Sequence, residues 1–444
     1  MKKTISAILI CLLIFSVAAC GNNMEMPVES AIPTETDLQP TLPAETEATE
    51  PVQTEPVETE AATEPSTEPE ELVLNPAQEI LSGIHYFINE QECTLHLTDK
   101  SYYSTMRLNT TDVLTITSEI PFHSIYFQWD YFPGAYSISW ETGSIDSEDV
   151  DFLHEYVVLG EGVTAVDIVF HEEGRKGLAE LSVYTEGGIP EEVQIWEQPY
   201  DKADILVFPT HADDEALFFG PLIAYYTIER QLAVQTAFMV EHTVQPCRAH
   251  ERMNSLWELG IRNHPVLYNA PDMGMGTYAD AYPFYAGRKI PDWQVEQIRR
   301  FQPLVVVGHD LDGEYGNGGH IINAHFLVKS IVDAANPEMY PESAQMYGVW
   351  ETPKLYLHLY RENEWYFDVN TPLVNDAAGR TPFEVAEAAY AMHLSQHQYG
   401  YRVQQNERVR AWDCRPFGLY RSLVGLDTTA DVMENIDPAQ WRTE

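Results

Sequence analysis

His211-Ala212-Asp213-Asp214-Glu215 brings one imidazole and three carboxylates into consecutive positions. The apolar run Ile205-Leu206-Val207-Phe208 precedes it, so it falls at a strand-to-helix turn, where open α/β sheets place their ligands. Imidazole and carboxylate are zinc ligands, and a spare carboxylate beside a metal site is a ready general base. The same residues also suit simple helix capping, because Asp is favoured at helix starts. A second polar crowd decides between the two. Residues 304–307 lead into Gly308-His309-Asp310-Leu311-Asp312-Gly313-Glu314-Tyr315-Gly316-Asn317-Gly318-Gly319-His320, and His320 opens a helix. If the two strands are neighbours, both crowds face one crevice, and His320 points back into it as a ligand.

The elements that must hold these groups follow from the apolar pattern. Buried strands are expected at 205–208, 232–240, 266–268, 304–307 and 354–360, with helices at 217–228, 250–257, 293–301 and 320–335 between them. Such alternation predicts an α/β fold for 200–444, a Rossmann-like, doubly wound and mostly parallel sheet. Residues 72–199 read differently. Short alternating runs such as 124–129 and 135–140, broken by turns, predict a β-rich, sandwich-like domain. Residues 178–184 and 193–196 look like its closing hairpin. Trp129, Tyr131, Phe132 and Trp140 are expected in its core, with stacking on sugar rings as the other reading.

Residues 1–20 read as an export signal: Lys2 and Lys3, a short apolar stretch, then Val17-Ala18-Ala19-Cys20-Gly21. The small residues before Cys20 resemble a bacterial lipobox, making Cys20 the lipidation site and the outer face of a bacterial cell membrane the expected address. Residues 21–71 are Thr, Glu, Pro and Ala without Lys or Arg, an acidic stalk expected to be disordered. After the signal, Cys93, Cys247 and Cys414 show no metal or disulfide spacing. A net charge of -44 excludes a nucleic-acid partner, which needs clustered cations.

With both motifs in place, residues 203–421 resemble the PIG-L/LmbE family of zinc-dependent N-deacetylases, whose signature is a His-Pro-Asp-Asp-Glu turn and a downstream Gly-Xaa-Tyr-Gly-His-Pro-Asp-His. The resemblance implies one Zn2+ per chain on His211, Asp214 and His320. It makes Asp213 the general base, Tyr315 the oxyanion donor and Arg248 a substrate-positioning residue. It implies removal of acetyl from an N-acetylated amino sugar in a carbohydrate or glycoconjugate. Ala212 replaces the family proline, Asn317 the family histidine that acts as acid or stabilises charge, and Gly319 the aspartate that orients it. Asn317 keeps hydrogen-bonding capacity at the catalytic position but cannot deliver a proton. Either Asp213 shuttles the proton, or His309, His325 or His397 substitutes, or the chain is a glycan-binding lipoprotein with a degenerate, weakly active or inactive deacetylase domain. Hydrolysis of another bond, such as an ester, is a further reading.

Overall fold

Seven strands form the sheet that carries both motifs, in the order Val266–Ala270, Val234–Val240, Ile205–Val207, Val305–Gly308, Lys354–His358, Pro416–Ser422 and Glu364–Tyr366. The first five pair in parallel, and the last two join antiparallel. Parallel central strands are buried on both faces. Val305-Val306-Val307 and Ile205-Leu206-Val207 accordingly have no exposed residue. Val305 lies opposite Ile205 and Val307 opposite Val207, so the two motif-bearing ends emerge side by side.

This computed structural model describes residues 75–442, apart from 95–96, 148–151, 175, 243 and 275. The expected signal, Cys20 and the stalk lie outside the described residues. Among the described residues, no helix is long and apolar enough to cross a membrane, and Cys93, Cys247 and Cys414 are free thiols. The helix expected at 217–228 is divided into Asp214–Leu217, Gly220–Ala224 and a π-turn at Tyr225–Glu229. Pro221 occupies the first turn of the middle piece, where its missing N–H costs nothing.

The β-rich half is one antiparallel eight-stranded sheet. Two strands of 17 residues, Val113–Trp129 and His154–Phe170, run through it, and their pairing shifts register between Thr117 and Ser124. The closing hairpin does not form. Residues 193–196 leave the sheet because Gln194 has better partners elsewhere: its amide joins His154 Nδ1 at 2.8 Å and Asn254 Oδ1 at 2.7 Å. Trp129 is fully buried, whereas Phe132 is exposed.

The two sheets belong to one compact unit, 71–444. Between them lies a fully buried polar chain: His154 Nε2 meets His250 Nδ1 at 2.9 Å, and His250 Nε2 meets Asp130 Oδ1 at 3.1 Å. Tyr102 stacks on His250 at 4.5 Å, and Trp196 meets Trp257 edge-on at 5.4 Å.

Glu180 gives the β-rich half a pH dependence. Burial, joined by the Asp99 carboxyl, pushes its pKa from 4.5 up to about 7. The folded state therefore holds this proton more tightly than the unfolded chain does. The stability gained is fully present below about pH 4.5 and lost as pH rises through about 7. Glu180→Gln is expected to remove a loss of about 1–2 kcal/mol across that window, read from denaturant melts at both ends. Equal pH slopes in parent and variant would show that Glu180 is not the source.

Candidate active site

The turn after Ile205–Val207 is buried throughout. Asp214 Oδ2 accepts N–H groups of His211 at 2.7 Å and Thr210 at 3.1 Å, which folds the turn back on itself. Asp214 Oδ1 is left 3.2 Å from His320 Nε2. Asp213 precedes the short helix but makes no side-chain capping bond. Its backbone sits at φ 124°, a conformation costing a non-glycine residue about 1–3 kcal/mol, and such strain concentrates at functional sites. The strain is held by the Asp213 N–H donating to Glu215 Oε2 at 2.8 Å, while Glu215 Oε1 meets His393 Nε2 at 2.6 Å.

His320 comes from the first turn of the helix Gly318–Asp333. Its Nδ1 lies 2.9 Å from Glu314 Oε2. An ionised carboxylate only accepts, so Nδ1 carries the proton and the Nε2 lone pair faces inward. It faces His211 Nδ1 at 3.1 Å, and that nitrogen is 3.5 Å from Asp214 Oδ2. Ligands around a tetrahedral zinc at about 2.0–2.1 Å are separated by about 3.3 Å. His211, Asp214 and His320 fit that spacing without a metal to impose it.

His309, Glu314 and His320 form a second cluster, but its atoms are already satisfied. Glu314 accepts from His309 Nδ1 at 2.7 Å, His320 Nδ1 at 2.9 Å and His358 Nδ1 at 2.8 Å. His309 Nε2 accepts the Thr210 N–H at 3.0 Å. Burial alone would raise the Glu314 pKa, but the surrounding imidazoles hold it well below the usual carboxylate range. This cluster is the support that orients His320, as carboxylates behind metal-bound imidazoles do.

Burial pushes the Asp213 carboxyl up to about 7, with Asp214 and Glu215 adding to it and Arg248 opposing. Burial and the same two aspartates raise the Tyr315 hydroxyl above its ordinary value, so it remains a proton donor at neutral pH. Tyr315 is itself in the left-handed region at φ 47°, and its ring lies 5.5 Å from that of His320. Arg248 lies under the turn, donating to the Ala212 carbonyl, with Nη2 3.5 Å from Asp213 Oδ1.

No family model matches the chain. Over 179 residues it is 33% identical to the 1D-myo-inositol 2-acetamido-2-deoxy-alpha-D-glucopyranoside deacetylase of Rhodococcus opacus (strain B4), taking in 34% of this chain and 60% of that protein. The second deacetylase of that name in Saccharopolyspora erythraea is 30% identical over 171 residues, 33% of this chain and 61% of its own. Over about a third of its own length the chain is thus similar to these deacetylases, as the resemblance to the PIG-L/LmbE family implies. It spans about 60% of the length of these curated relatives. A solved N,N'-diacetylchitobiose deacetylase from Pyrococcus horikoshii overlaps 45% of this chain and 72% of its own, at 17% identity and a TM-score of 0.36.

Within this site, Asn317 has a structural task. Its Oδ1 caps the His320 helix, accepting from Gly319 N at 2.8 Å and His320 N at 3.3 Å, and its Nδ2 reaches the Tyr315 hydroxyl at 3.4 Å. Asn317→Ala is expected to cost about 1 kcal/mol by denaturant titration, whereas Asn317→Asp, which keeps the acceptor, should cost far less. Equal losses would refute the cap. A Cβ at Gly319 would sit 3.3 Å from the His211 ring and 3.1 Å from Asn317 Oδ1, a tight fit for an aspartate. His325 bonds the Leu311 carbonyl and His397 the Tyr390 carbonyl, so neither joins the cluster, and His309 is committed to Glu314.

Asp272 and His393 also bear on the turn, although the local sequence gives neither a role. Asp272, in the loop after Val266–Ala270, puts Oδ1 3.5 Å from His211 Nε2 and Oδ2 3.4 Å from Arg248 Nη1. His393 reaches the site through Glu215, with its Nδ1 unpartnered. Nothing in the spacing of Asp272 marks it, and the partner of His393 is 178 residues away.

Proposed function

We propose that this chain is a metal-dependent hydrolase that removes acetyl from an N-acetylated amino sugar of the N-acetylglucosamine type. The observation that carries this is the convergence of His211 Nδ1, His320 Nε2 and Asp214 at zinc-ligand spacing, beside the strained and uncoordinated Asp213. The names of the relatives, deacetylases of a 2-acetamido-2-deoxyglucopyranoside, supply the bond and the sugar class. Residues 1–21 support the further reading that the enzyme is exported and lipid-anchored through Cys20 to the outer face of a bacterial membrane.

Zinc held by His211, Asp214 and His320 would supply a Lewis acid beside the acetamide carbonyl. The Asp213 carboxylate takes a proton from the attacking water as the new C–O bond forms. The Tyr315 hydroxyl donates to the oxygen that gathers negative charge in the tetrahedral adduct. Asp213 then returns the proton to the amine nitrogen as the C–N bond breaks, leaving acetate and a free amino sugar. With Asn317 used as a helix cap and His309, His325 and His397 each bonded elsewhere, the Asp213 carboxyl is assigned both transfers. Arg248 and Asp272 brace the turn from beneath.

The test is zinc content and amine release together, in the parent and in Asp214→Ala. About one zinc per chain and amine release in the parent, both lost in the variant, are expected. A zinc-loaded parent that releases acetate only from O-acetyl sugars would replace this reading with esterase chemistry. A protein that binds sugars without either release would return it to the glycan-binding lipoprotein.

A further inference from the structure

Tyr315 is one of four aromatic side chains in a continuous stacked row. Its ring lies 4.5 Å from Trp412 at 3° and 5.9 Å from Tyr401 at 28°. Tyr401 in turn lies 5.1 Å from Trp412 and 5.8 Å from Tyr399 at 26°. The Tyr315 ring lies 5.5 Å from that of His320, so the row passes the candidate metal cluster. Stacking fixes each ring against its neighbour, which gives a wall prepared for a ligand before one arrives.

A cavity lies at each end of this row. Beyond Tyr315 is an open one of about 700 Å³, with Asp310, Asp312, Arg361 and Arg410 in its lining, within the ~300–1,000 Å³ of ligand clefts. Beyond Tyr401, Tyr399 lines a second of about 250 Å³ together with Tyr103, Gln245, Ser395 and Gln396. Tyr103 and Tyr399 are 67% and 59% exposed, and both line this smaller cavity with polar amides and a hydroxyl between them. Exposed tyrosine rings beside neutral hydrogen-bonding groups suit a pyranose ring, and the described residues lining the smaller cavity include no Lys or Arg to hold a phosphate.

Tyr103 comes from the β-rich half, on a segment fixed in place. Its neighbour Tyr102 stacks on His250, and the Tyr102 hydroxyl accepts from Asn254 at 3.2 Å and Gln128 at 2.9 Å. The β-rich half thus supplies one wall of the smaller cavity, from the turn before Met106–Leu108. That is a reason for the two sheets to be joined which sugar stacking at Trp129 does not give.

We propose that the two cavities are flanking subsites of one cleft, and that the substrate is an oligosaccharide or polysaccharide whose reacting N-acetylated residue is internal. This rests on the deacetylase reading for the chemistry, but not for the binding. The discriminating experiment uses the zinc-loaded chain and β-1,4-linked N-acetylglucosamine oligomers of one to about six residues. Tryptophan fluorescence, with Trp412 in the row, reads binding, and amine release reads turnover. Affinity and kcat/KM should climb with length, by roughly tenfold for each subsite filled, and level off once both cavities are occupied. Tyr103→Ala and Tyr399→Ala should each cut the ratio of hexamer to monomer by roughly tenfold in both readouts. Both side chains are exposed, so unchanged melting will show that the variants fold. Binding that ignores chain length, or ignores both tyrosines, overturns the cleft whether or not amine is released. Monomer turnover with no gain for the hexamer leaves the deacetylase and removes the cleft. Length-dependent, tyrosine-dependent binding without amine release keeps the cleft and removes the deacetylase.

Discussion

Asp213→Asn is expected to lower kcat by about 10²–10⁴-fold while zinc content stays at about one per chain. Asn is isosteric with Asp and meets the same backbone constraint, so the change adds no new strain to the turn at φ 124°. The ligands are untouched, because Asp213 makes none of the three contacts of the His211, Asp214 and His320 cluster. What disappears is the carboxyl assigned to take a proton from water and return it to the amine. The variant also loses a negative charge crowded by Asp214 and Glu215, so it should melt no lower than the parent. Steady-state amine release, zinc analysis and a thermal melt on one preparation check all three. A variant that retained more than about a tenth of the parental kcat would remove Asp213 from the proton path.

Glu314→Gln has the second largest expected effect, though Glu314 touches neither zinc position nor substrate. One carboxylate accepts from His309, His320 and His358 and from the Asp310 N–H, and it is fully buried. An amide offers one acceptor oxygen and turns an NH2 donor toward imidazoles that need acceptors. His320 then loses the partner that keeps its Nε2 lone pair facing Asp214. Zinc affinity should fall by about 10–100-fold. Stability should fall by about 3–5 kcal/mol, the scale for breaking a buried charged network. Competition with a chelator gives the first number and urea titration the second. Parental zinc affinity in Glu314→Gln would show that His320 is oriented by its helix alone.

The elements whose patterns are locally complete were legible in the chain. The valines at 305–307 and the Ile-Leu-Val run at 205–207 announce buried parallel strands, and their adjacency makes one crevice of the two motifs. His320 as a ligand followed from that crevice, whereas the full set of His211, Asp214 and His320 came from the family resemblance. The supporting contacts were less legible because a carboxylate does not advertise its partner. Glu314 reads as another acid in an acidic loop until His358, 44 residues on, is folded against it. The hairpin at 193–196 failed for the same reason, since a strand-like pattern lost to side-chain bonds from His154 and Asn254. Asn317 did carry a local signal: an Asn at the start of a helix is a capping residue.

The buried chain Asp130–His250–His154 has a consequence for any attempt to divide the protein. Its middle member belongs to the α/β half and both outer members to the β-rich half. A chain cut near residue 200 would leave His250 and Asn254 without their partners and the Trp257 face uncovered, an adhesive surface in water. The two sheets are therefore expected to fold as a pair. Gene fragments encoding the motif-bearing half alone should yield aggregates, and swapping in a β-rich half from another protein should succeed only where an aspartate and a histidine arrive at the same two places.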